Sequence, residues 1–417
     1  AAVDGSDHNL TDGTAVIASG LETTISFNTV DDGPGEGSEE IVIAMDTPTN
    51  AVAGPHSIHT IQLLEANVAP QVSLSAEQAG TQVRTLLTGN GPVTVSSQLI
   101  DPNTGDSHSY DWTATDSRLS DIDAAADTYT FTPAALAPGL YTLRLSVSDG
   151  SASDQTSLTL NIIAVAPSLS AALDSDGDGT DDASEGIGDT DNDGIADYLD
   201  AIATANVLQE QSALSTSYLI ESEPGVRLTL GAIALQVGYG AAGVDLNAIE
   251  TYGGVPADTS YDFSGGLFDF AIDEIPVAGQ SVQVVIAQFA AIAQNPVYRK
   301  VISGQWQNFV IDANNSLASA AGEPGYCPPP GDSAYSNGLT PGHWCVQLTI
   351  EDGGPNDADG IANHTIEDPG GVAERLSTSV SVTSSGGGGA ASEVFILLLL
   401  LALGLAQLRA FGPRAKG

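Results

Sequence analysis

Residues 174–200, DSDGDGTDDASEGIGDTDNDGIADYLD, carry an acidic side chain at nearly every second position and neither Lys nor Arg. Carboxylates at this density repel one another, and without a counter-ion the segment would stay extended. The spacing shows how it can fold. In a first window of twelve residues, Asp174, Asp176 and Asp178 occupy positions 1, 3 and 5, Gly179 position 6, Thr180 position 7, Asp182 position 9 and Glu185 position 12. In a second window, Asp189, Asp191 and Asp193 occupy positions 1, 3 and 5, Gly194 position 6, Ile195 position 7, Asp197 position 9 and Asp200 position 12. One short loop wraps a hard cation in oxygen ligands by this spacing, with a main-chain carbonyl at position 7 and Gly for the sharp turn at position 6. A solvated acidic linker is the competing reading, and a single DxDxDG would leave it standing. Two complete windows in tandem point to Ca²⁺.

The rest of the composition bounds the partners. Over 417 residues, long enough for about two to four domains, acidic residues outnumber basic ones 53 to 10, for a formal charge of −43. Such a chain repels nucleic acid and anionic lipid surfaces unless cations bridge the two. A salty or calcium-rich medium would screen the self-repulsion. Acidity for halophilic solubility alone predicts evenly spread charge, and the clustering in 174–200 argues against it. Abundant Gly, scarce Lys and short alternating runs of Thr, Ser and Val suit extracellular β-modules. Cys327 and Cys345 most simply pair in an exported chain, closing a loop of roughly twenty residues worth on the order of 3 kcal/mol. A CxxC motif is absent.

Along the chain the expected class is all-β: tandem Ig-like β-sandwich modules joined by a calcium-binding loop segment, with a C-terminal hydrophobic helix. In residues 1–66, TAVIASG, ETTISFNTV, EEIVIAMDTP and HTIQLLEA alternate as strands do, with Gly, Pro and Asp turns between them. The order of strand, DDGPGEGSEE, strand, TPTNAVAG, strand resembles the second half of a Calx-β domain. The resemblance implies Asp31, Asp32, Glu36, Glu39 and Glu65 as positions that help bind Ca²⁺. The first strands of such a domain have no counterpart, and the chain opens AAVDG without Met, so it is expected to be part of a longer protein.

Residues 67–166 carry VTVSSQLIDP, SYDWTAT, TYTFTP, LYTLRLSVSDG and SLTLNII, short strands at sandwich spacing. DPNTGDSHSYDW and YTLRLSVSDG resemble the PKD and cadherin-like modules of bacterial surface proteins. The likeness implies Asp101, Asn103 and Asp106 as possible cation ligands; an Asx-rich turn is the alternative. Trp112 reads as a core aromatic between the sheets. The acidic segment, within 167–201, resembles thrombospondin type 3 repeats, its flanks being too short for helix pairs. Ile195 and Leu199 are expected to pack on one another's metal loops as hydrophobic pegs.

Residues 202–384 read as a larger β-rich unit with TSYLIESE, VRLTLGAIALQVG, FDFAID, SVQVVIAQ, YRKVISG, QWQNFVIDA and WCVQLTIED as strands. ETYGGVPADTSYDFSGGLFDFAIDEIPVAGQSVQVVIAQ and VQLTIEDGGPNDADGIANHTIEDPGG resemble choice-of-anchor C-terminal domains of bacterial surface proteins. That likeness implies the last folded domain before an anchoring signal. EDGGPNDADG offers Asp352, Asp357 and Asp359 as a further cation loop or as a solvated turn. In residues 385–417, Val394–Leu408 is continuously apolar, Glu393 precedes it, and Arg409, Arg414 and Lys416 follow. By charge bias the tail stays cytoplasmic and the remainder faces outward. Glycines, apolar helix and basic end resemble the GlyGly-CTERM sorting signal. The likeness implies cleavage by a rhomboid-like protease at Gly386–Gly389 after transient inner-membrane insertion; a permanent single-span anchor is the alternative.

No catalytic constellation stands out. HExxH, GxSxG and a phosphate-cradling Gly-rich loop are absent. His56 and His59 fall at a strand start, where they would point to opposite faces. The expectation is a non-enzymatic, exported, calcium-stabilised surface or adhesion protein of a Gram-negative bacterium. The alternative is the non-catalytic C-terminal part of a secreted hydrolase.

Overall fold

The computed structural model describes residues 7–18, 23–30, 39–50, 57–63, 67–103, 105–123, 125–211, 217–238 and 240–376. Alternating burial builds its first large element. The strands are β1 (Glu39–Ala44), β2 (Ile58–Leu63), β3 (Gln71–Gln78), β4 (Thr81–Gln82), β5 (Thr85–Leu87) and β6 (Val93–Ile100). They continue with β7 (Ser109–Asp111), β8 (Thr128–Phe131), β9 (Gly139–Ser148) and β10 (Ser153–Ile163). Sheets β4-β3-β6-β8 and β5-β10-β9-β7 lie face to face. Val72, Leu74 and Ala76 of β3 meet Tyr141, Leu143, Leu145 and Val147 of β9 in one shared core, as the period of two requires. Trp112 is half-buried at its edge, with its ring centroid 5.5 Å from that of Tyr129 and its Nε1 donating to the Ala126 carbonyl.

After the acidic segment, with its short helix α1 (Asp182–Glu185), come β11 (Val207–Gln209), β12 (Leu219–Ser222), β13 (Arg227–Leu230), α2 (Ala232–Val237), β14 (Gly243–Val244) and α3 (Leu246–Tyr252). Then follow β15 (Tyr261–Asp262), β16 (Leu267–Asp273), β17 (Ser281–Ala287), β18 (Pro296–Ile302) and β19 (Gln305–Asn308). The last are β20 (Ser316–Ala320), β21 (Ser336–Asn337), β22 (Cys345–Glu351) and β23 (Ile366–Arg375). A sheet in the order β11-β12-β17-β22-β20-β21 packs on a second with the path β13-β16-β23-β18-β19. Six successive residues of β16 are buried. Phe268, Phe270 and Ile272 face the inter-sheet core, while Leu267 faces the small core of Ile233, Ile249 and Val255 beneath α2 and α3. Cys327 and Cys345 are disulfide-bonded.

Among the described residues strand accounts for 38% and helix for 7%, so the all-β class expected from alternation holds. Two local expectations are corrected. VRLTLGAIALQVG is a strand only over Arg227–Leu230; Ala232–Val237 is helical. Gly231 admits the Asp269 carboxylate, whose Oδ2 accepts from the Ala234 N–H at 2.8 Å, and Gly238 closes the helix at φ 74°. Ala, Leu and Gln favour a helix once its first turn is held this way. Near the N-terminus, 14–18 and 23–28 join no ladder; His8 and Thr29 form an isolated bridge, and β1 with β2 makes a two-stranded ladder. By contact, Ala1–Arg375 is one unit and Leu376–Gly417 another. The expected sorting signal, Gly386–Gly389 and Val394–Leu408, lies outside the described residues, as do Asp31, Asp32, Glu36, His56 and Glu65. Among the described residues no helix is long and apolar enough to cross a membrane.

Candidate metal centre

The two acidic windows fold alike, fifteen residues apart (174 to 189). At position 6, the Gly179 and Gly194 N–H groups donate to Oδ2 of Asp174 and Asp189, at 3.2 and 3.0 Å. The position 5 N–H groups, of Asp178 and Asp193, donate to Oδ1 of Asp176 and Asp191 at 3.1 and 3.3 Å. One step on, Thr180 and Ile195 donate from their N–H to Oδ1 of Asp178 and Asp193, each at 2.6 Å. Even the strained backbone repeats. Position 4 is left-handed at Gly177 (φ 79°) and Asn192 (φ 64°), and position 6 at Gly179 (104°) and Gly194 (97°), conformations open to Gly and tolerated by Asn.

This turn gathers the acids. Carboxylate oxygens of Asp174, Asp176 and Asp178 lie within 4.8 Å of one another, and so do those of Asp189, Asp191 and Asp193. The position 12 acids join them electrostatically. Glu185 is pushed up to about 7 by burial and by the charges of Asp176, Asp178, Asp174 and Asp182. Asp200 is likewise pushed up to about 7, by burial and then by Asp191, Asp189 and Asp197. Burial raises Asp189 to about 7, and raises Asp193 well above the carboxylate range with help from Asp191, Asp200 and Asp189. Four buried oxygens, Oδ2 of Asp176, Asp191 and Asp193 and Oε2 of Glu185, accept no hydrogen bond from the protein. Buried charge without a donor is costly, and a hard divalent cation would supply what these oxygens lack.

Position 9 has a different task from the one its spacing suggested. Ser175 donates from its N–H and hydroxyl to the two oxygens of Asp182 at 2.8 and 2.9 Å. Thr190 does the same to Asp197 at 2.8 and 3.0 Å. Each position 9 carboxylate therefore fastens the start of its loop to the short helix that ends it, α1 in one window and a 3₁₀ turn (Asp197–Leu199) in the other. A hydroxyl recurring at position 2, Ser175 and Thr190, is the sequence signal that marks this clasp.

The windows differ in their surroundings. The first is largely exposed; the second is wedged between the two sandwiches. Towards the N-terminal sandwich, the Asp189 N–H donates to the Gln82 carbonyl at 2.9 Å, and Arg84 Nε to Asn192 Oδ1 at 3.2 Å. Towards the C-terminal sandwich, the Leu230 N–H donates to the Asp193 carbonyl at 2.7 Å, and Arg227 donates to the Asp191 carbonyl. Ile195, 1% exposed, belongs to the C-terminal core, and Leu199 packs against that core. This corrects the expectation that the two cover each other's loops. An apolar core offers them far more area to bury than an acidic loop does.

Most of the other acidic candidates accept hydrogen bonds within their own loops. Asp101 and Asp106 come together with Asp149, which sequence spacing did not suggest. Asp101 Oδ2 is 2.6 Å from His108 Nε2 and its Oδ1 accepts from the Asn103 N–H. Asp149 accepts from Asn67, Ser151 and Ala152. In the 352–363 loop, Asp352 accepts from the N–H groups of Gly279, Asn363 and His364, Asp357 from those of Gly353 and Glu367, and Asp359 from the Ile361 N–H and the Asn363 side-chain amide. Most of these are backbone clasps.

No protein-family model matches the chain, and no curated protein matches it. Among solved structures it is similar to the surface layer protein SbsC, domains 1–6, at 11% identity and a TM-score of 0.19, over 78% of this chain and 44% of that one. The chain thus spans less than half of that structure, and a likeness of this strength carries no argument about fold or function.

Proposed function

We propose that the acidic segment binds two Ca²⁺ ions, one per window, and that the loaded segment sets the geometry of two β-sandwiches in an exported cell-surface structural protein. Asp174, Asp176, Asp178 and Glu185 would hold the first ion, with Asp189, Asp191, Asp193 and Asp200 holding the second. The carbonyls of Thr180 and Ile195 fall at the main-chain ligand position. Bound Ca²⁺ supplies positive charge and no reaction chemistry. The carrying observation is the set of buried carboxylate oxygens that accept nothing from the protein, shared by both windows at position 3 (Asp176, Asp191) and joined by Glu185 in the first and Asp193 in the second. A flexible acidic linker has no reason to bury them.

Export is supported by the Cys327–Cys345 disulfide, which suits an oxidising compartment, and by the formal charge of −43. Millimolar Ca²⁺ outside the cell would keep even weak sites of this type filled. The likenesses to Calx-β, PKD or cadherin-like, thrombospondin type 3, choice-of-anchor and GlyGly-CTERM sequences belong to this reading, as does the absence of a catalytic role. Isothermal titration of the metal-stripped chain with CaCl₂ tests it. Two sites are expected, each stabilising the fold by about 2.7 kcal/mol when free Ca²⁺ is a hundredfold over its Kd. Absence of heat together with an unchanged melting temperature would reduce the segment to a structural linker.

A further inference from the structure

The core between the two C-terminal sheets contains a lysine. Lys300 on β18 is 1% exposed and Asp368 on β23 is 0% exposed, with Nζ 3.0 Å from Asp368 Oδ2. The register explains how they meet. Lys300 lies opposite Gly370, two residues along β23 from Asp368 and so on the same face. A Cβ at Gly370 would stand 3.1 Å from Tyr298 Cε1 and 3.2 Å from Asp368 Oδ1, so the glycine leaves room for the lysine to reach past it. Phe270 faces Asp368 across the β16–β23 ladder, and Tyr298, 1% exposed, precedes Lys300 on its face of β18. Aromatic side chains thus line the pair, and the charge of Asp357 also acts on Lys300.

As an ion pair this is a poor arrangement. A buried salt bridge offsets its desolvation only with good geometry and further hydrogen bonds. Here the 3.0 Å contact is not aligned as a hydrogen bond, and Nζ and both carboxylate oxygens lack any such partner of good geometry. Burial pushes the Lys300 amine down and the Asp368 carboxyl up, so both move towards their neutral forms. A neutral amine is a nucleophile, and a neutral carboxylic acid is a better acceptor than a carboxylate. Two groups fixed in contact react as if at an effective concentration of about 10⁵ M or more when the approach is favourable.

We propose that Lys300 and Asp368 condense into an intramolecular amide that staples β18 to β23. A proton first passes from the ammonium to the carboxylate. The Nζ lone pair then adds to Cγ, forming the N–C bond. One Cγ–O bond breaks, and the departing hydroxyl takes a proton from Nζ and leaves as water. Nothing is oxidised or reduced, and no co-reactant is needed. Tyr298, whose hydroxyl lies against the Asp368 carboxyl, is a positioning residue for this step.

The test is a mass measurement on the full chain, denatured, reduced and digested with a protease that cuts after aromatic residues. Trp306, Phe309, Tyr326, Tyr335 and Trp344 separate the two positions. The expected product is a branched peptide joining the segments around residues 300 and 368, lighter than their sum by the mass of one water, and lost in Lys300→Met. Recovery of both segments as separate linear peptides at full mass from the unmutated chain overturns the proposal and leaves an ion pair. The unmutated chain alone decides, so a variant that fails to fold does not obscure the answer.

Discussion

Asp193 carries the largest electrostatic load in the second window. It is 1% exposed, and Asp191, Asp200 and Asp189 all act on it. One of its oxygens turns the loop by accepting from the Ile195 N–H; the other accepts nothing. Asp193→Asn removes a ligand charge and a repulsion together, so its effect should change sign with the metal. In chelator at about pH 8 the variant should be more stable than the parent, because a buried anion has gone. In saturating Ca²⁺ it should lose the second site's increment, about 2.7 kcal/mol at a hundredfold excess over Kd, and keep the first. Denaturant melts with and without Ca²⁺ check both halves; equal destabilisation in the two conditions would make Asp193 a packing residue. The gathering of positions 1, 3 and 5 was readable in the sequence because the loop is short and its glycines fix the turn. Position 9 was not. Spacing places a residue along the chain, while the direction of its carboxylate depends on a competing donor, here the Ser175 and Thr190 hydroxyls.

At the scale of elements, alternation identified the N-terminal sandwich strands well, since strands such as β3 and β9 bury one face more fully than the other. It failed at Ala232–Val237, where a run of apolar residues belongs to a helix held by Asp269, a residue distant in sequence. It also failed for Ile195, because a short acidic segment gives no sign that one of its few large apolar side chains enters a neighbouring core. That burial makes the segment an element of the fold, and its protonation then becomes a stability term. Glu185, Asp189 and Asp200 sit at about 7 in the metal-free fold, above their ordinary values of 4.5, 3.8 and 3.8. Between those limits the folded chain binds more protons than the unfolded one, so metal-free stability falls as pH rises towards 7 and stays low above it. Ca²⁺ takes the deprotonated acids, so added Ca²⁺ should stabilise most at the alkaline end and least near pH 5. Melting temperatures between about pH 5 and 8 in chelator and in Ca²⁺ test the sign. A metal-free melting temperature that climbs with pH would contradict it.

Across the whole of residues 67–375, the acidic segment is both a joint and a filler. Direct contacts between the sandwiches exist without it. His364 Nε2 is 3.0 Å from Asp154 Oδ1, Arg84 is 3.4 Å from Asp273, and Asn161 Nδ2 donates to the Leu235 carbonyl at 3.1 Å. Arg84, Asp154 and Asn161 are buried in these contacts, and after desolvation each is worth roughly 1–3 kcal/mol, so they share the joint with the acidic segment. The second window adds main-chain hydrogen bonds to both sides and the buried Ile195. Its acids can stay that close only when their charge is neutralised, by protons at low pH or by a cation at neutral pH. Chelation at about pH 8 removes both. The window should then open, the sandwiches should turn relative to one another, and the radius of gyration from solution X-ray scattering should rise. Returning Ca²⁺, or lowering the pH to about 5 in chelator, should restore the compact value. Each sandwich keeps its own core throughout, so far-ultraviolet circular dichroism should not change. A radius indifferent to chelator at both pH values would mean that the direct contacts suffice and that the segment binds its cation without governing the joint.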